Sequence, residues 1–265
     1  MGSPIFTSLR PKEWYKNLLI FIPLIASDTA LLTSWPAWVY VVIAFIAFCG
    51  IAGSVYILND LLDLSKDRIH PVNCQRPLAS GQLSIKDAKV SLLLILVTSL
   101  FIAWKISGLF LGISLGYFML NLAYSFKLKK IIPLDVIIIS SGYVLRTLAG
   151  VGALKFVNPH LEISYWFVLI PFMFAMVGAL EKRRKEIIYR EESGIVKIGD
   201  FQEYSLEFLD RGITIFSSLS IGVFCFFTIN PDVISKYGSS LVYTNIIVAG
   251  VFLYRLYCMD KTSNS

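Results

Sequence analysis

Charge is scarce in this chain. Of its 265 residues 16% are charged and 56% hydrophobic, and the mean hydropathy is +0.69. That balance excludes an ordinary soluble domain, in which about a quarter of residues carry charge. Cysteine is sparse as well: Cys49, Cys74, Cys225 and Cys258 form no CxxC pair and read as reduced, structural sulfur. What remains is apolar sequence in runs of roughly 17 to 25 residues. About eight such runs are visible, at 17–33, 37–58, 88–104, 108–125, 132–154, 163–180, 212–230 and 239–257. They predict an all-α polytopic transmembrane bundle, one integral-membrane domain over 1–265 with little chain left for a soluble one.

Cations are scarcest on one side of that bundle. If the spans alternate from a cytoplasmic N-terminus, 20 of the 24 Lys and Arg residues fall on the N-terminal side, Lys105, Lys155 and Lys236 on the other, and Arg146 within a span. The positive-inside rule then orients the chain. The N-terminus and the loops around 59–89, 126–131 and 181–211 are expected to face the cytoplasm, in an inner cell membrane. The net charge of +6 is thus a topology signal rather than a sign of nucleic acid, although the same loops attract phosphate. Arg10 to Lys16 before LLIFIPLIA has the look of a signal peptide, but the charge count works with this segment kept as a span.

The second run ends in NDLLDLSKDRIHP. At about 100° per residue, setting Asn59 at 0° places Asp63 at about 40°, Asp67 at about 80° and Asp60 at about 100° on a regular helix. Asn59, Asp63 and Asp67 follow an i, i+4, i+8 ladder rising about 6 Å per step. A solvated helix end neutralised by Lys66 and Arg68 is the plain reading. Three carboxylates on one face, however, need a compensating cation, and hard oxygens suit Mg²⁺, which keeps positions for water and substrate phosphate.

Basic and polar residues accompany the other expected cytoplasmic segments. RPKEWYKN brings Lys12 and Lys16 at i, i+4, which either grip phosphate or snorkel as anchors. NLAYSFKLKK brings Asn121, Tyr124, Lys127 and Lys129, and EKRRKE brings Lys182, Arg183, Arg184, Lys185 and Glu186. Four consecutive cations wrap around a helix, so not all of them face one site. Arg146, at mid-span, costs ~2.5–3.5 kcal/mol on insertion scales and must face a partner or a polar cavity. Asp135, eleven residues earlier, is about 16 Å away along the axis.

These stretches resemble the UbiA superfamily of intramembrane prenyltransferases, with NDxxDxxxD from Asn59 to Asp67 as the shared signature. Within it the resemblance is stronger to members that transfer phosphoribosyl to a polyprenyl phosphate. It is carried by RPKEWYKNLLIF (10–21), NDLLDLSKDRIHPVNCQRPLASG (59–81), NLAYSFKLK, PLDV and GYVLRTLAG (121–150), and EKRRKEI (181–187). The superfamily pattern is nine spans, of which about eight are visible. One departure discriminates: the usual second motif, DxxxD, is missing, and EKRRKE stands in its place.

The resemblance implies phosphoribosyl diphosphate as donor, a decaprenyl-type polyprenyl phosphate as acceptor and Mg²⁺ as cofactor. By the same token Asn59, Asp63 and Asp67 would hold the metal, and Asp60, Asp63 and Asp67 would act in catalysis. Lys16, Asn17, Arg76, Tyr124, Lys127, Lys129, Arg146, Lys182, Arg183 and Glu186 would bind substrate. Self-association is left open. The competing readings are a conventional prenyltransferase, which would want the second DxxxD, and an anion transporter, against which no inverted repeat is visible.

Overall fold

The computed structural model describes residues 3–192 and 204–263. Every regular element in it is helical, and the described chain forms two compact units: 1–128 with 145–163, and 129–144 with 164–265. The long helices are α1 (Trp35–Leu62), α2 (Ile85–Ile106), α3 (Gly108–Phe126), α4 (Leu134–Leu154), α5 (Trp166–Glu192), α6 (Leu206–Ile229) and α7 (Thr244–Ser263). Among the described residues six stretches are long and apolar enough to cross a membrane: α1, α2, α3, α4, α6 and Ser239–Met259. The expected run at 163–180 lies on α5, whose apolar part gives way to charge at Glu181. The run at 17–33 is divided between a 3-10 helix, Pro11–Phe21, and the short helices Ile22–Ile25 and Thr29–Leu32.

The 3-10 helix sorts its side chains with a period of three. Lys12, Tyr15 and Leu18 are exposed, while Asn17 and Ile20 are buried. This corrects the α-helical expectation for Lys12 and Lys16. Tighter winding puts Lys16 over Glu13 instead, with Nζ 2.5 Å from Oε2.

In the first unit α1 is apolar on all sides, the pattern of a helix enclosed by neighbours. Phe48 and Ile51 of α1 join Ile20, Leu24, Phe110, Ala149 and Leu154 in the core. Close approach decides one contact there. A Cβ on Gly150 would stand 2.1 Å from the Ile20 carbonyl oxygen, so α4 meets the 3-10 helix backbone to backbone. Gly150→Ala is therefore expected to lower thermal stability in detergent by about 1–3 kcal/mol, the usual cost of overpacking, despite alanine's better helix propensity. Unchanged unfolding would show that the two helices can part without cost.

In the second unit α5 packs along α6, and Met176, Val177 and Leu180 of α5 share a core with Val136, Leu209, Ile213 and Phe252. The apolar faces of Ser239–Met259 are almost entirely unburied by protein, as befits a helix solvated by lipid. Among the described residues no disulfide joins any of the four cysteines.

Candidate active site

The acidic segment sits where α1 ends. Asp63 interrupts the helix at φ −97° and ψ 9°, and the short helix Leu64–Ile69 follows. The backbone hydrogen bonds continue through the interruption: Asp63 N–H donates to Asn59 O and Asp67 N–H to Asp63 O, each at 2.9 Å. Pro71 disfavours helix at His70, which is extended at ψ 131°. Asn59 and Asp63 are half-buried, Asp60 and Asp67 are buried, and Arg68 is exposed.

Two arginines neutralise the buried carboxylates. Arg10 Nη2 lies 2.6 Å from Asp60 Oδ1, and Arg76 Nη1 lies 3.2 Å from that oxygen and 2.6 Å from Asp67 Oδ2. Asn73 Nδ2 donates to Asp67 Oδ1 at 2.9 Å, and Ser125 Oγ donates to Asn59 Oδ1. Arg10 also lies over the Tyr56 ring, 4.8 Å from its centroid, and its backbone is left-handed at φ 51°. Such a conformation costs a non-glycine residue about 1–2 kcal/mol, and the contacts to Asp60 and Tyr56 offset it.

A second polar cluster lies around Arg146, which is buried. Its Nε donates to Asn17 Oδ1 at 2.8 Å and its Nη2 to Tyr117 OH at 2.7 Å, with the Tyr117 ring centroid 4.8 Å away. Asn17 in turn donates through Nδ2 to Cys49 Sγ at 3.1 Å. Of the two alternatives for Arg146, partners on neighbouring elements are observed, and the partners named here are neutral. Tyr117→Phe is expected to cost about 1–3 kcal/mol of stability, because a guanidinium N–H buried in this network loses an acceptor. A thermal melt matching that of the unaltered protein would contradict it.

In the second unit the cations of EKRRKE part company, as four in a row on a helix must. Arg183 Nε donates to Asp135 Oδ2 at 2.9 Å and its Nη1 to Glu186 Oε2 at 2.8 Å, while Tyr204 OH donates to Asp135 Oδ1. Arg184 turns to the other side, with Nε 2.6 Å from Asp210 Oδ1. Lys182 is 3.9 Å from Glu186 and largely exposed. At the end of α3, Tyr124 and Lys129 are half-buried and Lys127 is exposed. Of the loop expected at 181–211, residues 193–203, with Lys197, lie outside the described residues.

The structure thus gathers Asn59, Asp60, Asp67 and Arg76 in one cluster, Asn17 and Arg146 in another, and Lys182, Arg183 and Glu186 in a third. Sequence reasoning assigned no role to Arg10, Asn73, Tyr117, Ser125 or Tyr204. For Arg10 a signal existed: both arginines that hold Asp60 precede a proline, in RPKEW and RPLAS. A fixed backbone after the arginine favours a fixed side-chain base.

Among the described residues no group of three or more His, Cys, Asp or Glu side chains forms a ready cation cage. The oxygens of Asn59, Asp63 and Asp67 nevertheless fit Mg²⁺ in kind. That ion is commonly held by one or two carboxylates and completes its octahedron with water and substrate phosphate.

Apolar helices and a carboxylate–arginine cluster at a helix end define an integral membrane protein with a polar site. The chain belongs to the UbiA prenyltransferase family, whose model matches residues 20–264. It is 32% identical over 213 residues to decaprenyl-phosphate phosphoribosyltransferase of Corynebacterium glutamicum, covering 79% of this chain and 62% of that protein. The protein of the same name from Mycolicibacterium smegmatis is also 32% identical over 213 residues, covering 78% of this chain and 64% of the relative. The chain therefore spans a little under two thirds of the length of these relatives. In fold it is similar to a UbiA homolog from Archaeoglobus fulgidus bound to GPP and Mg²⁺, with a TM-score of 0.74 and 18% identity over 98% of this chain and 88% of that one.

Proposed function

We propose that this protein transfers 5-phosphoribosyl from phosphoribosyl diphosphate to the phosphate of a polyprenyl lipid, releasing pyrophosphate, at the cytoplasmic face of an inner cell membrane. The observation that carries the reading is the charge pattern. NDLLDLSKD is present, while the helix that would bear a second acidic motif carries EKRRKE instead. A donor with a diphosphate and a separate monophosphate asks for metal-binding oxygens and for bare cations together. The names of the two curated relatives support the same substrates.

In this reading Asn59, Asp63 and Asp67 hold Mg²⁺, which when bound neutralises charge developing on the leaving diphosphate. Asp60 keeps Arg10 and Arg76 in place, and Arg76 turns toward phosphate. Lys16, Lys182 and Arg183 are further phosphate contacts, Tyr124, Lys127 and Lys129 are candidates of second rank, and Glu186 orients Arg183. Asn17 and Arg146 fix the 3-10 helix from which Lys16 projects. The C1–O bond to diphosphate breaks toward an oxocarbenium-like state, and a lipid phosphate oxygen forms the new C1–O bond. That oxygen is already anionic, so no general base is required.

The test is purified protein in detergent, given polyprenyl phosphate and ribose-labelled phosphoribosyl diphosphate with and without Mg²⁺. Mg²⁺-dependent, lipid-extractable label is expected. Its absence, in this chain and in one extended to the length of the relatives, would reject the reading. Label from a prenyl diphosphate on an aromatic acceptor would favour conventional prenyl transfer.

A further inference from the structure

The last turn of α3 brings a buried hydroxyl against the acidic segment. Ser125 is 5% exposed, and its Oγ is within hydrogen-bonding reach of two acceptors: Asn59 Oδ1 on α1 and, at 2.7 Å, the Asn121 carbonyl one turn back on its own helix. A hydroxyl has one hydrogen and two lone pairs. It therefore donates to one of these partners and is left to accept from the other.

The carbonyl one turn back is where other helical serines of this protein place that hydrogen. Ser54, Ser140 and Ser220 each donate to the carbonyl four residues earlier, at 2.9, 2.8 and 2.7 Å. When Ser125 does the same, its Oγ turns lone pairs toward Asn59, and an oxygen facing them is repelled. A half-turn of the Asn59 amide about Cβ–Cγ relieves this, because the two ends of the group match in shape while one donates and the other accepts. Nδ2 then donates to Ser125 Oγ. Oδ1 moves to the opposite end of the amide, which makes no hydrogen bond among the described residues and is not buried.

The exchange decides whether Asn59 can serve a cation, since a metal binds the amide oxygen and is repelled by its N–H. We propose that Ser125 is a positioning residue: by passing its hydrogen to Asn121 O and accepting from Asn59 Nδ2, it turns Asn59 Oδ1 outward as a metal ligand. The inference rests on the proposed metal role of Asn59. Ser125 itself acts only through that amide.

Binding is measured apart from turnover. Equimolar Mn²⁺ and pyrophosphate are titrated calorimetrically into the full chain in detergent, with metal-free pyrophosphate as the control, and the metal-dependent gain in affinity is compared between variants. Asn59→Ala is expected to reduce that gain about tenfold or more, and Ser125→Ala about tenfold, the lower end of the range for losing a group that orients a ligand. Alanine is smaller than serine and favours helix, so the fold is kept. In an Asn59→Asp background, Ser125→Ala should change the gain less than about twofold, because a carboxylate presents oxygen at both ends and needs no turning.

An unchanged gain in Ser125→Ala would overturn the proposal. So would an equal loss in both backgrounds, which would make the serine merely structural. Undiminished binding by Asn59→Ala would end the metal role of that residue and the proposal with it. If the Asn59→Asp background cancels the effect of Ser125→Ala but no phosphoribosyl is transferred, the reaction reading falls and the positioning role stands.

Discussion

Asp63→Asn is expected to lower the proposed phosphoribosyl transfer by on the order of 10²–10³-fold, the range for losing one element of charge stabilisation in a transition state, while leaving the fold intact. The residue marks the junction between α1 and Leu64–Ile69, where its backbone links Asn59 to Asp67 through two 2.9 Å hydrogen bonds. Asparagine keeps both bonds and nearly the same shape. What it removes is the negative charge of a half-buried carboxylate at the centre of the ladder. Parallel measurement of kcat and melting temperature decides the matter, and full turnover in this variant would end the metal role given to Asp63.

Asp60→Ala should behave in the opposite way, with stability falling first. The Asp60 side chain is 4% exposed and takes both Arg10 and Arg76, whose side chains are 29% and 30% exposed. Removing one partner of a buried ion pair costs about 3–5 kcal/mol. Water reaching the two arginines moderates this, so a loss near about 3 kcal/mol is expected in detergent unfolding. Arg10 would also lose the contact that offsets its left-handed backbone. A loss below about 1 kcal/mol would show that solvent satisfies both guanidinium groups and that Asp60 is no anchor.

These two aspartates show how far the sequence could be read. The i, i+4, i+8 spacing is a local property of one chain segment, and the backbone bonds at that spacing continue through the interruption at Asp63. Asp60 is different, since its meaning depends on Arg10, fifty residues earlier. Helical angles could place it beside the ladder but could not show that arginines from two other segments enclose it. Arg146 follows the same pattern: its mid-span charge demanded partners, and only the fold could name Asn17 and Tyr117.

The apolar runs announced the membrane spans because burial in lipid is a matter of composition. Composition is blind to winding, however, which is why 17–33 reads as one span and folds as a 3-10 helix followed by short helical pieces. The cations of EKRRKE are an intermediate case. Helical arithmetic required them to diverge, and Asp135 and Asp210 decide which way Arg183 and Arg184 turn.

The winding of Pro11–Phe21 also acts as a ruler. At about 2.0 Å per residue its eleven residues reach about 22 Å, where α-helical winding would reach about 16.5 Å. The added length, about 5.5 Å, separates the Arg10 anchor on Asp60 from the Gly150 contact at Ile20. Both ends are pinned, so the segment cannot relax to the shorter form without breaking one of them. Between the pins, adjacent residues point to opposite sides, Lys16 toward Glu13 and Asn17 toward Arg146. The height of that lysine along the segment is thus set by helical pitch, and Glu13 fixes the direction its side chain takes.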